Sequence, residues 1–476
     1  MRMRRAAPRL GQEVAVIGAG TAGVCAAKFL LEGGQRVTVY ESGSYVGGLW
    51  KYDNDNGRSQ AYQHLRIITP RRKTRFSDFD FSAETSRFPS HAEMQQYLSD
   101  YCDHFGVTPR IRFRSDVTLV EPVEPADGGR RRWRVTDTAP DGSTCRADYD
   151  HVVVASGHLH EPRHSEFLQG FAGTYAHSNT YRDPEPFVGK RVCVVGTGNS
   201  GVDIASDVCA VARRTVLVAR SGVIIRPKTV FGVPYVDIGL TLRQRWIPVK
   251  FRDHVMNVLT YLAHGDQRRL GFRKPEGAQH TTASESLVGH IDFGRIEVKP
   301  GIKSIGGQSV MFEDGTEEEF DILVGATGYK VHLPFLDPSV FAVHGDRVDL
   351  YLQMFPVDQP GLYFVGMLTP LVPYSVACEA QSKTIAQVID GTVRLPDRAA
   401  MAADVERVRA WVHSKYTDSP RHALQYPDSN LAHSLLSFRR EGAIRALHHG
   451  SVPGVLTRPL AQRAYLRARQ VPVLAE

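Results

Sequence analysis

Two stretches of this chain carry the same residue types at the same spacing. Residues 13–23 read EVAVIGAGTAG, and residues 191–201 read RVCVVGTGNSG. Each is a short apolar run entering a G-x-G-x-x-G loop, which cradles a dinucleotide pyrophosphate when it joins a strand to a helix. Gly18 and Gly196 make the tight turn. Gly20 and Gly198 let the backbone approach the phosphates, and Gly23 and Gly201 permit close helix–strand packing. Ala19 and Ala22 complete the first loop. Asn199 and Ser200 belong to the second, where they are expected to face the coenzyme and can also cap the helix. The helix that follows each loop turns free N–H groups toward the anion. The copies diverge about 20 residues on, where RVTVYE ends in Glu41 and TVLVAR ends in Arg220. A carboxylate accepts hydrogen bonds from an unmodified ribose diol, whereas a guanidinium suits a 2′-phosphate. The residues read as one FAD site and one NADPH site on a single polypeptide.

The elements that must position these loops also repeat. WRVT at 133–136, a turn at Asp141-Gly142 and the apolar run HVVVASG, ending at Gly157, follow the first loop. SVMFEDGTEEEFDILVGATG, turning at Asp314-Gly315 and ending at Gly328, follows the second. Asp-Gly between alternating apolar stretches signals a hairpin. The continuously apolar strand after each hairpin suits a strand buried on both faces of a parallel sheet. The expected fold is α/β, with two Rossmann-like three-layer dinucleotide-binding domains. DPEPFVGK at 183–190 reads as the linker between them. LYLQMFPVDQPGLYFVG at 350–366 reads as a return of the chain to the first sheet. The NADPH domain is therefore expected to be inserted into a discontinuous FAD domain. The boundaries are expected at 1–182 (FAD, first part), 183–328 (NADPH) and 329–476 (FAD, second part, with a C-terminal helical extension). Ala402, Val405, Val408 and Val412 keep helical spacing in that extension.

Composition narrows the function classes. The chain has 476 residues, 42% hydrophobic and 23% charged, as in an ordinary soluble globular protein. No uninterrupted apolar run is long enough for a transmembrane helix. The basic start MRMRRAAPRL lacks the apolar segment of a secretory signal. The net charge of +7 is spread along the chain, which argues against nucleic acid as a partner. Six cysteines without a C-x-x-C pair argue against electron transfer through a redox dithiol and fit a cytoplasmic enzyme. His158, His160 and His164 form H-x-H-x₃-H, but no fourth ligand is apparent, and no metal site is expected. Residues 250–262 are amphipathic, and packing is their default role. Assembly is open, with a homodimer as one outcome.

Further motifs resemble the flavin-containing monooxygenase family. FAGTYAHSNTYRD at 171–183 matches its fingerprint F-x-G-x-x-x-H-x-x-x-[YF]-[KR] through Phe171, Gly173, His177, Tyr181 and Arg182. ESGSYVGGLWKY (41–52), FSDFDF (76–81), GNSGVD (198–203), GATGY (325–329) and SPRHALQ (419–425) extend the match over roughly residues 12–430. The resemblance implies that NADPH reduces FAD and that reduced flavin takes up O₂ as a C4a-hydroperoxide. A small soft nucleophile, an amine nitrogen or a sulfide sulfur, then accepts the distal oxygen. The flavin carries the chemistry, so no catalytic triad is expected. The match brings Gly47, Gly48, Leu49 and Trp50 close to the flavin and adds Thr327 and Gly328 to the cofactor site. His177 is expected to make a structural hydrogen bond between domains, and Tyr329 to support the domain junction.

One position departs from the family. An asparagine near the flavin usually lies where the alignment of Tyr62 and FSDF puts Ile68, and isoleucine donates no hydrogen bond. Two alternatives stay open on that account. One is Baeyer–Villiger or oxidative-decarboxylation chemistry on a carbonyl substrate. The other, of a different class, is an FAD- and NADPH-binding redox protein that reduces O₂ to peroxide and oxygenates nothing. Tyr181, where the Baeyer–Villiger branch usually has tryptophan, tilts the reading toward amines and sulfides.

Overall fold

The computed structural model describes residues 10–124, 131–242, 247–277, 281–370, 372–416 and 423–425. The basic start up to residue 9, most of the SPRHALQ motif and the extension from 426 onward lie outside the described residues.

Two five-stranded parallel sheets organise the chain. The first has the spatial order Leu362–Phe364, His151–Val154, Glu13–Ile17, Arg36–Tyr40, Ile111–Arg112. The second has the order Thr174–His177, Ile322–Gly325, Arg191–Val195, Arg214–Val218, Glu297–Lys299. In both, the strand that enters the glycine loop is central. Its neighbours are the strand that leads to Glu41 or Arg220 and the strand that closes the unit. The register repeats as well: Ile17 pairs with Tyr40 and Val154, and Val195 with Val218 and Gly325.

Period-two alternation explains the layers. Val14 and Val16 point into the core shared with the helix Thr21–Glu32, while Ala15 and Ile17 point to the opposite side. There they meet Trp133, Val135 and Tyr149, from an antiparallel sheet of three strands. Val192 and Val194 likewise face the helix Asn199–Val208, and Cys193 faces Val310 and Phe312 of a second three-stranded antiparallel sheet. Burying both faces of a strand stabilises it by about 1.5–3 kcal/mol per large aliphatic side chain. That is why these runs are apolar throughout. The hairpins turn where expected, with Gly142 at φ 81° and Gly315 at φ 83°.

The fifth strand of each sheet comes from outside its own unit. Leu362–Phe364 completes the first sheet after the second unit has closed, so the second unit is inserted into the first. Thr174–His177 pairs with Ile322–Gly325 and belongs to the second sheet, ahead of the linker expected at 183–190. Its half-exposed alternation did not mark it as a strand. Helix Val249–His264 packs Met256 against Val230 and Tyr235, and leaves Phe251, Val258, Tyr261 and Leu262 exposed. Helix Arg398–Lys415 buries Val408 and packs Val412 on the first core. No helix among the described residues is long and apolar enough to cross a membrane.

Candidate functional site

The two glycine loops are built alike down to single atoms. Gly18 at φ 100° and Gly196 at φ 118° adopt a conformation that side chains rarely tolerate. Gly18 N–H donates to Tyr40 O at 2.7 Å, and Gly196 N–H to Val218 O at 3.2 Å. A Cβ on Gly18 would lie 2.8 Å from Ala155 O, and one on Gly196 2.5 Å from Ala326 O. A Cβ on Gly23 would fall 1.8 Å from Gly18 O, and one on Gly201 2.0 Å from Gly196 O. Both loop helices start from a glycine N-cap, Gly20 or Gly198, with no side chain bonded to the first N–H groups. Those donors stay available to an anion. Asn199 and Ser200 therefore sit inside the first turn and do not cap it. The Asn199 amide instead reaches residues 281–283, donating to Thr281 O and accepting from Ala283 N–H at 3.1 Å.

Around the first loop, Gly48 crosses Gly20 so closely that a Cβ on Gly48 would sit 3.0 Å from Gly20 Cα. Gly47 N–H donates to Ala19 O at 3.0 Å and ties the turn Gly48–Trp50 to the loop. Leu49 is half-buried, and Trp50, also half-buried, packs on the first core. Glu41 is buried and accepts from Ala19 N–H and Gly43 N–H, each at 2.8 Å. Burial holds its carboxyl above the usual carboxylate range. Ala22 is buried beneath Gly366, whose Cβ would lie 3.0 Å from the Ala22 methyl. The Ser156 hydroxyl, at the mouth of this loop, is buried without a partner among the described residues. These features fit a coenzyme with a free ribose diol: an uncapped helix, a glycine crossing and a buried carboxylate.

Around the second loop the matching position is basic. Arg220 is exposed two residues beyond its strand, and its guanidinium has no carboxylate partner among the described residues. Nearby Arg273 is engaged by Glu313 at 3.1 Å. The exposed positive charge of Arg220 suits a phosphate. Thr327 donates to Arg163 O, and Gly328 O accepts from Arg163 N–H at 2.9 Å. Both residues thus pin the segment after Gly157 to the second sheet.

The fingerprint residues are structural links. A Cβ on Gly173 would meet Asp321 O at 2.8 Å and the Phe171 ring. His177 is buried, its Nδ1 accepting from Asn179 N–H at 3.1 Å and its Nε2 donating to Gly328 O at 3.1 Å. Tyr181 donates to Asp207, and Arg182 reaches Asp53 and Ser59 O, each at 3.1 Å. Tyr329 stacks edge-on against His177 with ring centroids 5.5 Å apart. Ile68 is half-buried in the loop that follows Tyr62. Among the described residues no group of three or more His, Cys, Asp or Glu is placed to hold a metal.

Burial pushes the His158 imidazole down to about 4 and lowers His160 and His177 as well. The unfolded chain takes up these protons first, near pH 6.5. Stability present above that pH is lost as the pH falls toward 4. A His158→Gln variant is expected to flatten the fall of the melting temperature between these limits, without abolishing it. An unchanged slope would show that His158 is not held neutral.

Two dinucleotide folds linked in one chain, each with its own glycine loop, define a two-coenzyme protein. The flavin-binding monooxygenase-like family model matches residues 11–436, and the chain belongs to that family. It is an FAD-containing, NADPH-dependent monooxygenase. It is 31% identical to flavin-containing monooxygenase 5 of Oryctolagus cuniculus, over 87% of this chain and 80% of the relative. It is 29% identical to the N-oxide-forming dimethylaniline monooxygenase 2 of Rattus norvegicus, over 83% of this chain and 76% of the relative. The structure of S-allyl-L-cysteine S-oxygenase from Allium sativum superposes with a TM-score of 0.69 at 26% identity, covering 97% of this chain and 94% of that one.

Proposed function

We propose that the chain oxygenates a small soft nucleophile, an amine nitrogen or a sulfide sulfur, at the expense of NADPH and O₂. In this reading FAD lies on Gly18, Ala19, Gly20, Ala22 and Gly23, with its ribose on Glu41 and its ring system toward Gly48, Leu49 and Trp50. NADPH lies on Gly196, Gly198, Asn199, Ser200 and Gly201, with its 2′-phosphate on Arg220. Thr327 and Gly328 hold the floor between the sites. The flavin supplies hydride acceptance and oxygen activation when bound. The chain supplies two helix N-termini for the pyrophosphates, a fixed carboxylate and a free guanidinium.

The observation that carries the soft-nucleophile reading is Tyr181, buried in the fingerprint and bonded to Asp207. Relatives named for N-oxide formation and for S-oxygenation support it. Incubation with NADPH and either a tertiary amine, a thioether, a cyclic ketone or a 2-oxo acid tests it. N-oxide or sulfoxide is the expected product. Lactone or decarboxylated acid would move the assignment to the second reading, which Ile68 favours because it brings no donor to the flavin-side loop. Peroxide equal to the NADPH consumed, with every substrate, would leave a reductase of O₂.

Ile68→Asn restores a donor at that position. It is expected to raise the fraction of NADPH electrons recovered in product over those released as hydrogen peroxide. An unchanged ratio would mean that residue 68 does not face the flavin.

A further inference from the structure

We propose that Asp203 is a positioning residue for electron transfer between the coenzymes, acting through Tyr62 across the junction of the two units. The inference rests on the family's coenzymes and not on the substrate assigned above.

Tyr62 belongs to the chain that leaves the first sheet, yet its ring is buried in the core of the second unit with Val202 and Ile204. Its hydroxyl donates to Asp203 Oδ2 at 2.7 Å. Asp203 lies on the helix Asn199–Val208, just beyond the second glycine loop. One helical turn later, Asp207 takes two further bonds. His64 Nδ1 approaches Asp207 Oδ1 at 2.7 Å, and Tyr181 donates to Oδ2. The Tyr62 and Tyr181 rings meet edge-on with centroids 5.6 Å apart. Gln63 N–H donates to Arg182 O at 2.8 Å. The NADPH-side helix thus grips residues 62–64 from two turns at once.

The other end of the same segment is held by the FAD unit. Ser77 N–H donates to Glu379 Oε2 at 2.9 Å, Ser375 to Thr74 O, and Phe76 N–H to the Tyr97 hydroxyl at 2.8 Å. Glu379 and Ser375 lie on the helix Tyr374–Ile389, which packs against the first loop helix. Residues 62–78 therefore tie the second turn of one coenzyme helix to the scaffold of the other. Hydride transfer needs donor and acceptor about 3–3.5 Å apart, and a misplacement of about 1 Å costs roughly a hundredfold. Two separately cored units hold such a distance through ties across their junction, and these bonds are among them.

Tyr62→Phe removes one hydroxyl from the junction, and Asp203→Ala removes its acceptor. Anaerobic mixing of each holoenzyme with NADPH is expected to show flavin reduction slowed about tenfold or more. Reduction by dithionite should be unchanged, and NADP⁺ affinity should shift less than about threefold. Asp203→Asn keeps an oxygen acceptor and is expected to restore most of the rate. The double variant should be no slower than the slower single one. Hydrogen exchange at residues 62–66 of the holoenzyme should rise equally in Tyr62→Phe and Asp203→Ala. The proposal is overturned if reduction by NADPH keeps its normal rate. It is also overturned if dithionite reduction slows alike, or if the whole effect lies in NADP⁺ affinity. Tyr62→Phe decides the matter by itself should Asp203→Ala not fold.

Discussion

Replacing Arg220 by alanine is expected to weaken NADPH ten- to a hundredfold and to leave NADH almost unaffected. The guanidinium stands exposed beyond its strand, without a carboxylate partner among the described residues. Its neighbour Arg273 is already committed to Glu313. A hydrogen bond to a charged group contributes about 1.5–3 kcal/mol, and each 1.4 kcal/mol is a factor of ten in affinity. NADH lacks the phosphate and has nothing to lose. Rates of flavin reduction at varied concentrations of each coenzyme, under anaerobic conditions, measure both affinities. Equal losses for NADPH and NADH would mean that Arg220 supports the fold and does not read the phosphate.

An effect at the upper end of that range is expected from one added methyl group in either loop, with opposite outcomes. A Cβ on Gly23 or Gly201 would stand 1.8 or 2.0 Å from a backbone carbonyl oxygen of the same loop. No flexible side chain can yield there, so the helix must move off the strand. Overpacking of this kind costs about 1–3 kcal/mol, occasionally more, and it displaces the N–H groups that face the pyrophosphate. Gly23→Ala is expected to purify without bound flavin, its FAD affinity down roughly a hundredfold. Gly201→Ala should stay yellow and reducible by dithionite, while NADPH no longer bleaches it at ordinary concentrations. Absorbance spectra before and after each reductant distinguish the two. A yellow Gly23→Ala enzyme, or a colourless Gly201→Ala enzyme, would contradict the assignment of the loops.

Much of this site is legible in the sequence because its demands are local. A left-handed turn followed by close helix–strand packing needs glycine at fixed offsets, and Gly18, Gly23, Gly196 and Gly201 meet those demands within a few residues. Strands buried on both faces are rich in apolar residues, and the runs at 152–154 and 322–325 show this in the sequence. What escaped depends on partners far away in the chain. The edge strand Thr174–His177 has no strong alternation, and its place follows from pairing with Ile322–Gly325. Tyr62 reads as one aromatic in a polar loop, and nothing near it announces Asp203. The GNSGVD motif contained that aspartate, but only the fold brings the two together. The bonds of the Asn199 side chain to Thr281 and Ala283 likewise join residues more than eighty positions apart.

The most direct measurement of the central claim is anaerobic mixing of the purified, FAD-reconstituted protein with NADPH or NADH while the flavin absorbance is followed. Bound FAD in a single equivalent per chain is expected, bleached by NADPH and far more slowly by NADH at matched concentration. A protein that stays colourless after reconstitution, or a flavin that NADPH fails to bleach, would contradict a chain built to hold both coenzymes at once.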